Sequence, residues 1–161
     1  MIILDTNVLS ALMRDAPDQS VASWMDRQPH SSIWTNSITI LEIQTGLQVM
    51  PEGKKKVSLS EDFERLLDRI DHRIAAFDEP AARFAAELVG SRKKRGRVGD
   101  LRDTMIAGIV LAHGASLATR NVTHFADISA TVAASTSLQS CLHAVLNVPY
   151  YQLRHLPPHQ D

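Results

Sequence analysis

From Ile2 to Thr119, short apolar runs alternate with helical segments, and that alternation most narrows what the chain can become. Ile2-Ile3-Leu4 has no polar alternation, so it reads as a strand covered on both faces, the signature of a parallel sheet. Asp5-Thr6-Asn7 follows with capping chemistry for a helix over Val8 to Arg14. Pro17 opens a second helical segment with Val21, Trp24 and Met25 on one face. Ile33-Trp34-Thr35 is the next short strand, and Ser37 is placed to cap a helix carrying Ile38, Leu41, Thr45 and Val49. A turn at Pro51-Glu52-Gly53 leads into a helix over about Val57 to Ile70 with Leu59, Phe63, Leu66 and Leu67 on one stripe. Ile74 to Phe77 is a strand, Asp78-Glu79-Pro80 starts a helix, and Asp100 to His113 is the last long helix before a strand at Ala115 to Thr119. The pattern specifies an α/β fold, a central, mainly parallel sheet flanked by helices.

Composition bounds the function. The chain has 161 residues, enough for one domain with a real core, and its 44% hydrophobic and 22% charged content is that of a globular protein. A net charge of −1 supplies no global field to hold nucleic acid or a membrane, so any such binding rests on local patches. Cys141 is the single cysteine, which excludes an internal disulfide and a cysteine zinc site and fits a reducing cytoplasm. The N-terminus lacks the basic region of a signal peptide. Thr104 to Thr119, the longest stretch without a charged residue before residue 120, is shorter than the roughly 20 apolar residues of a membrane span.

Three carboxylates stand where chemistry is expected. In an α/β sheet, sites collect beyond the carboxyl ends of the strands, and Asp5 directly follows the first one. Glu42 interrupts a helical segment otherwise nearly free of charge, with no Lys or Arg within a turn to pair it. Asp103 opens the most apolar helix, beside Met105, Ile106 and Ile109. An acid in such surroundings is costly to bury unless it is paired or holds a metal. Asp100 shares a helical face with Asp103, but its place after Gly99 makes it a helix cap. Asp5 alone would also read as a cap.

These pieces carry a resemblance. Met1-Ile-Ile-Leu-Asp-Thr-Asn-Val-Leu-Ser10, the isolated Glu42, Asp103-Thr-Met-Ile-Ala-Gly-Ile and Leu117-Ala-Thr-Arg-Asn-Val-Thr-His-Phe125, in that order, resemble a PIN-domain ribonuclease. More narrowly they resemble the VapC/FitB-type toxins of type II toxin–antitoxin pairs. The resemblance runs from Met1 to about Val132 and implies a PIN-like fold. It also implies a Mg²⁺- or Mn²⁺-dependent endoribonuclease that hydrolyses RNA with metal-activated water. Asp5, Glu42 and Asp103 match the first three acids of the family's site, as catalytic and metal-binding residues. Thr6 matches a neighbouring hydroxyl, and the fourth acidic position falls on Asn121, a neutral and weaker ligand. A cognate antitoxin covering the acidic pocket, a homodimer and a cytoplasmic setting are further implications.

Other residues have readings of their own. Arg120, following a strand at the site edge, is a candidate for substrate contact. Arg92 to Arg95 with Arg97, and Lys54 to Lys56, read either as solvated helix ends or as local charge for RNA phosphates. His113 and His124 read as surface or capping residues, Asp127 as an exposed loop acid, and Trp24 and Trp34 as core or interface residues. Residues 1–132 form the expected nuclease domain. Residues 133–161 form a divergent tail in which Leu138, Leu142, Val145 and Leu146 have helical spacing before a flexible end. Two rival functions fit the same residues: a catalytically weak protein that binds antitoxin and operator, and a nuclease of single-stranded DNA.

Overall fold

The computed structural model describes residues 1–14, 16–125, 128 and 144–147. Strand β1 (Ile2–Leu4) is followed by helices α1 (Thr6–Leu12) and α2 (Gln19–Asp26), strand β2 (Ile33–Asn36), and helices α3 (Ser37–Val49) and α4 (Lys54–Arg69). Strand β3 (Ile74–Ala75), helices α5 (Glu79–Lys94) and α6 (Leu101–His113), and strand β4 (Ser116–Thr119) complete the alternation, and β5 (Ala144–Asn147) follows. Short 3-10 turns lie at His30–Ser32 and Val122–Phe125.

The sheet order is β3-β2-β1-β4-β5. The first four strands are parallel, with Ile3 of β1 opposite Trp34 on one side and Leu117 on the other. β5 runs antiparallel to β4, pairing Leu117 with Leu146 and Thr119 with Ala144. This strand takes Val145 and Leu146 out of the helix expected from their spacing; the remaining tail residues lie outside the described part of the chain.

Both faces of β1 are covered, as an unbroken apolar run requires. Successive side chains point to opposite faces. Leu4 therefore joins a core built from α1 to α4 around Trp24, Phe63 and Leu9, while Ile3 joins one built from α5 and α6 around Ile106, Ile109 and Phe125. Trp24 is fully buried, and Trp34 is half-buried against the second core.

Chain direction sets where a site belongs. β1 leads to β2 on one side, whereas the chain returns through α5 and α6 to place β4 on the other. The strand order reverses between β1 and β4, so a crevice opens beyond their carboxyl ends. Asp5 and Thr119 occupy those two ends. One cap differs from expectation. Asn36, rather than Ser37, caps α3, because its Oδ1 accepts from the Ile38 and Thr39 amides. The Ser37 hydroxyl is used elsewhere, accepting from the Phe77 amide at 3.0 Å.

Candidate active site

Asp5 sits at the junction of strand, helix and crevice and is 4% exposed. As the N-cap of α1 it accepts the Thr6 amide at 2.7 Å, and the helix N-terminus favours a negative charge there. The cap is only part of its role. Its other oxygen accepts from Asn7 Nδ2 and from Thr119 Oγ1, each at 2.6 Å. Thr119 in turn accepts the Asn121 amide at 3.0 Å, and Asn7 Oδ1 accepts the Arg120 amide at 2.8 Å. The Asp5 carboxylate, at the end of β1, is thereby fixed by residues from α1 and β4.

Glu42 reaches the same place from α3. The Thr6 hydroxyl donates to Glu42 Oε2 and lies 3.2 Å from Thr39 Oγ1. Arg102 of α6 stands 3.4 Å from Glu42 Oε1, which supplies across two helices the basic partner that the local sequence lacks. Asp103 comes from the first turn of α6, where the dipole favours a carboxylate, and its Oδ2 lies 2.6 Å from His124 Nδ1. Asp100 is the N-cap of α6, accepting the Arg102 amide at 2.8 Å; that bond, first among its causes, holds its carboxyl below the ordinary range.

The three acids share an electrostatic field. Burial pushes the Asp5 carboxyl above its ordinary value, the bonds from Thr119 and Thr6 pull it back, and the charges of Asp103 and Glu42 raise it further. Arg102 offsets part of that charge at Glu42, and a bound cation would relieve the remaining repulsion at Asp5. The donors are all oxygens, which suits a hard divalent ion. Among the described residues no three of His, Cys, Asp and Glu are gathered closely enough to enclose an ion, and each carboxylate is engaged by a protein donor. In donor chemistry and charge, Asp5, Glu42 and Asp103 fit such an ion.

The remaining candidates divide. Thr6 is at the centre, bridging Asp5 and Glu42. Asn121 enters through its backbone, while its Oδ1 accepts from Thr123 Oγ1 at 3.3 Å. The Arg120 guanidinium pairs with Asp18 at 3.3 Å, so its side chain is committed to the cap of α2. Arg92 leaves the basic cluster altogether: it is 7% exposed, donating to Thr104 Oγ1 beneath the surface, whereas Lys93, Lys94 and Arg95 are exposed. Asp127 lies outside the described residues. Asn7 and Thr119 are contributors to which the sequence assigned no part in the site; His124, read from the sequence as a surface or capping residue, is half exposed as expected but also contacts Asp103. A cavity of about 300 Å³ opens beside Asp103 and His124, and a groove of about 340 Å³ beside Thr6 and Glu42.

A switch-point crevice carrying acids from β1, α3 and α6 is what a PIN domain builds, and the PIN domain family model matches residues 2–130. The chain belongs to the PIN-domain family. It is 36% identical over 126 residues to VapC ribonuclease Y4jK of Sinorhizobium fredii, covering 78% of this chain and 90% of that one. Toxin FitB of Neisseria gonorrhoeae is 34% identical over 126 residues, covering 78% and 91%. The solved structure of FitAB bound to an IR36 DNA fragment superposes with a TM-score of 0.70 at 34% identity, covering 78% of this chain and 88% of that one.

Proposed function

We propose that this protein is the toxin of a toxin–antitoxin pair and acts as a divalent-metal-dependent endoribonuclease in the cytoplasm. The observation that carries the reading is the convergence of Asp5, Glu42 and Asp103 at the β1–β4 switch point, with Thr6 linking Asp5 to Glu42 and the charges of Asp103 and Glu42 reaching Asp5. The similarity to a VapC ribonuclease and to toxin FitB supports RNA as substrate and a cognate antitoxin as partner.

Asp5, Glu42 and Asp103 would hold Mg²⁺ or Mn²⁺, and the bound ion supplies activation of water and charge stabilisation at the leaving 3′-oxygen. The chain's own residues prepare that site. Thr119 and Asn7 fix the buried carboxylate of Asp5, and Thr6 ties it to Glu42. Arg102 offsets charge at Glu42. The groove beside Thr6 and Glu42 is walled by Met13, Ile43, Leu47, Met50 and Leu59, an apolar seat for an antitoxin segment laid across the acids. A homodimer follows from the same family likeness.

Purified toxin freed of antitoxin is expected to cut RNA in Mg²⁺ or Mn²⁺, to stop in EDTA, and to leave single-stranded DNA intact. Cleavage of DNA alone favours the DNA nuclease. Antitoxin binding without any cleavage favours the weak binding protein, a reading that the neutral Asn121 supports.

RNA capture at a net charge of −1 depends on few contacts, so the slope of log K against log salt is expected to be shallow. Exchanging exposed Lys93 and Lys94 together for Gln should reduce that slope by about 1.4 to 2 units if both meet phosphates, with folding unchanged. An identical slope in filter binding would return these lysines to the role of solvated helix ends.

A further inference from the structure

We infer that His124 is a positioning residue for the reaction, holding the Asp103 carboxylate in the orientation that the metal site needs; this rests on the metal-dependent reading above. His124 lies in the turn Val122–Phe125, and its Nδ1 is 2.6 Å from Asp103 Oδ2. A carboxylate accepts only, so Nδ1 carries the hydrogen, in the neutral ring as in the charged one. The bond fixes one oxygen of Asp103 and leaves the other for a ligand. A residue on the first turn of a helix otherwise swings freely about its side-chain torsions, and Asp103 is 20% exposed in its side chain. Partners of this kind orient ligands in metal sites and are worth about 10- to 100-fold in metal affinity or activity.

The turn that carries His124 is itself anchored. Arg92 Nη2 lies 3.5 Å from the His124 carbonyl, and its Nη1 donates to Thr104, one residue beyond Asp103 on α6. The buried guanidinium therefore ties α5, α6 and the turn together. Gly99 makes room for it, since a Cβ at that position would stand 2.7 Å from Arg92 Nη1. Phe125, the next residue after His124, is fully buried and pins the other end of the turn. The His124 ring thus faces Asp103 from a fixed base while remaining half exposed, at 53%, so its replacement leaves the core untouched.

The test compares His124→Ala, His124→Asn and Asp103→Asn with the parent, using calorimetric Mn²⁺ titration and steady-state cleavage of an RNA oligonucleotide. Asn is the informative exchange, because its Nδ2–H stands near the place of the imidazole Nδ1–H. His124→Ala is expected to weaken Mn²⁺ binding about 10- to 100-fold and to lower kcat with KM for RNA nearly unchanged. His124→Asn is expected to recover most of both losses. Equal loss in the Ala and Asn variants would overturn the inference, since His124 would then act as a ligand or substrate contact in its own right. Parent-like Mn²⁺ affinity in His124→Ala, with affinity lost in Asp103→Asn, would overturn this inference alone. Unchanged affinity in both would overturn it together with the metal assignment of Asp103.

Discussion

Asp5→Asn protein is expected to cleave RNA at least about 1,000-fold more slowly than the parent while folding as well as it does. The loss follows from removing one anionic donor: a bound metal contributes several kcal/mol of transition-state stabilisation, and each 1.36 kcal/mol is about tenfold in rate. Folding survives because Asp5 is a burden to the apo fold. Burial raises its carboxyl pKa, so the folded state binds the proton more tightly than the unfolded one. Its contribution to stability is full below the ordinary carboxylate pKa near ~4 and is lost as pH rises towards the raised folded value. An amide at residue 5 does not ionise and escapes that loss. It keeps the Thr6 cap through its oxygen, while its amide NH2 faces two donors, Thr119 Oγ1 and Asn7 Nδ2; the hydroxyl can turn to accept instead, but Asn7 Nδ2 cannot, so one hydrogen bond is given up at a cost of about 1 kcal/mol. Thermal melts in EDTA from acid to neutral pH should show the parent losing stability through this window and the variant not doing so. Full activity in Asp5→Asn, or a variant that fails to fold, contradicts the role assigned to this carboxylate.

The second large effect concerns how α6 is held. Gly108 lies in mid-helix against α5, where a Cβ would stand 2.4 Å from the Ala81 carbonyl oxygen and 2.9 Å from Ala85 Cβ. Backbone cannot yield there, and Ala81 and Ala85 are themselves buried. Gly108→Val should cost about 3 kcal/mol or more through overpacking, lowering Tm by about 10 °C in a chain of this size. Since α6 carries Asp103, a residual folded fraction should also show reduced Mn²⁺ affinity. Gly90 on α5 is the control: nothing lies within 4 Å of its Cβ position, so Gly90→Ala should raise stability by about 0.5–1 kcal/mol. Chemical denaturation of the three proteins separates packing from helix propensity, and equal stability of Gly108→Val and parent would refute the close approach of α5 and α6.

The acids were legible because each breaks a local rule. Asp5 ends an apolar run, Glu42 stands in an uncharged helix, and Asp103 opens an apolar one. Their partners break none. Thr119 is an ordinary strand residue, 114 positions from Asp5, and it matters only because β4 lies beside β1, a strand order that no local periodicity encodes. His124 meets Asp103 across 21 residues because the turn after β4 packs back against the start of α6, a contact that no local periodicity encodes either. Arg92 is indistinguishable by composition from Lys93 and Lys94; what turns it inward is the space at Gly99 and the hydroxyl of Thr104. Asn36 and Ser37 are both good caps, and the choice fell to the one whose oxygen reaches two helix amides. Val145 and Leu146 fit a helix by spacing and a strand by β-propensity, and pairing with β4 decides for the strand.

The most direct measurement is the chemistry of the cut ends. RNA is cleaved by antitoxin-free protein in Mg²⁺ or Mn²⁺, and the fragments are characterised by mass. Hydrolysis by activated water at Asp5, Glu42 and Asp103 predicts 5′-phosphate and 3′-hydroxyl ends, abolished by EDTA and by Asp5→Asn. Ends bearing 2′,3′-cyclic phosphate, or cleavage that persists in EDTA, would contradict it.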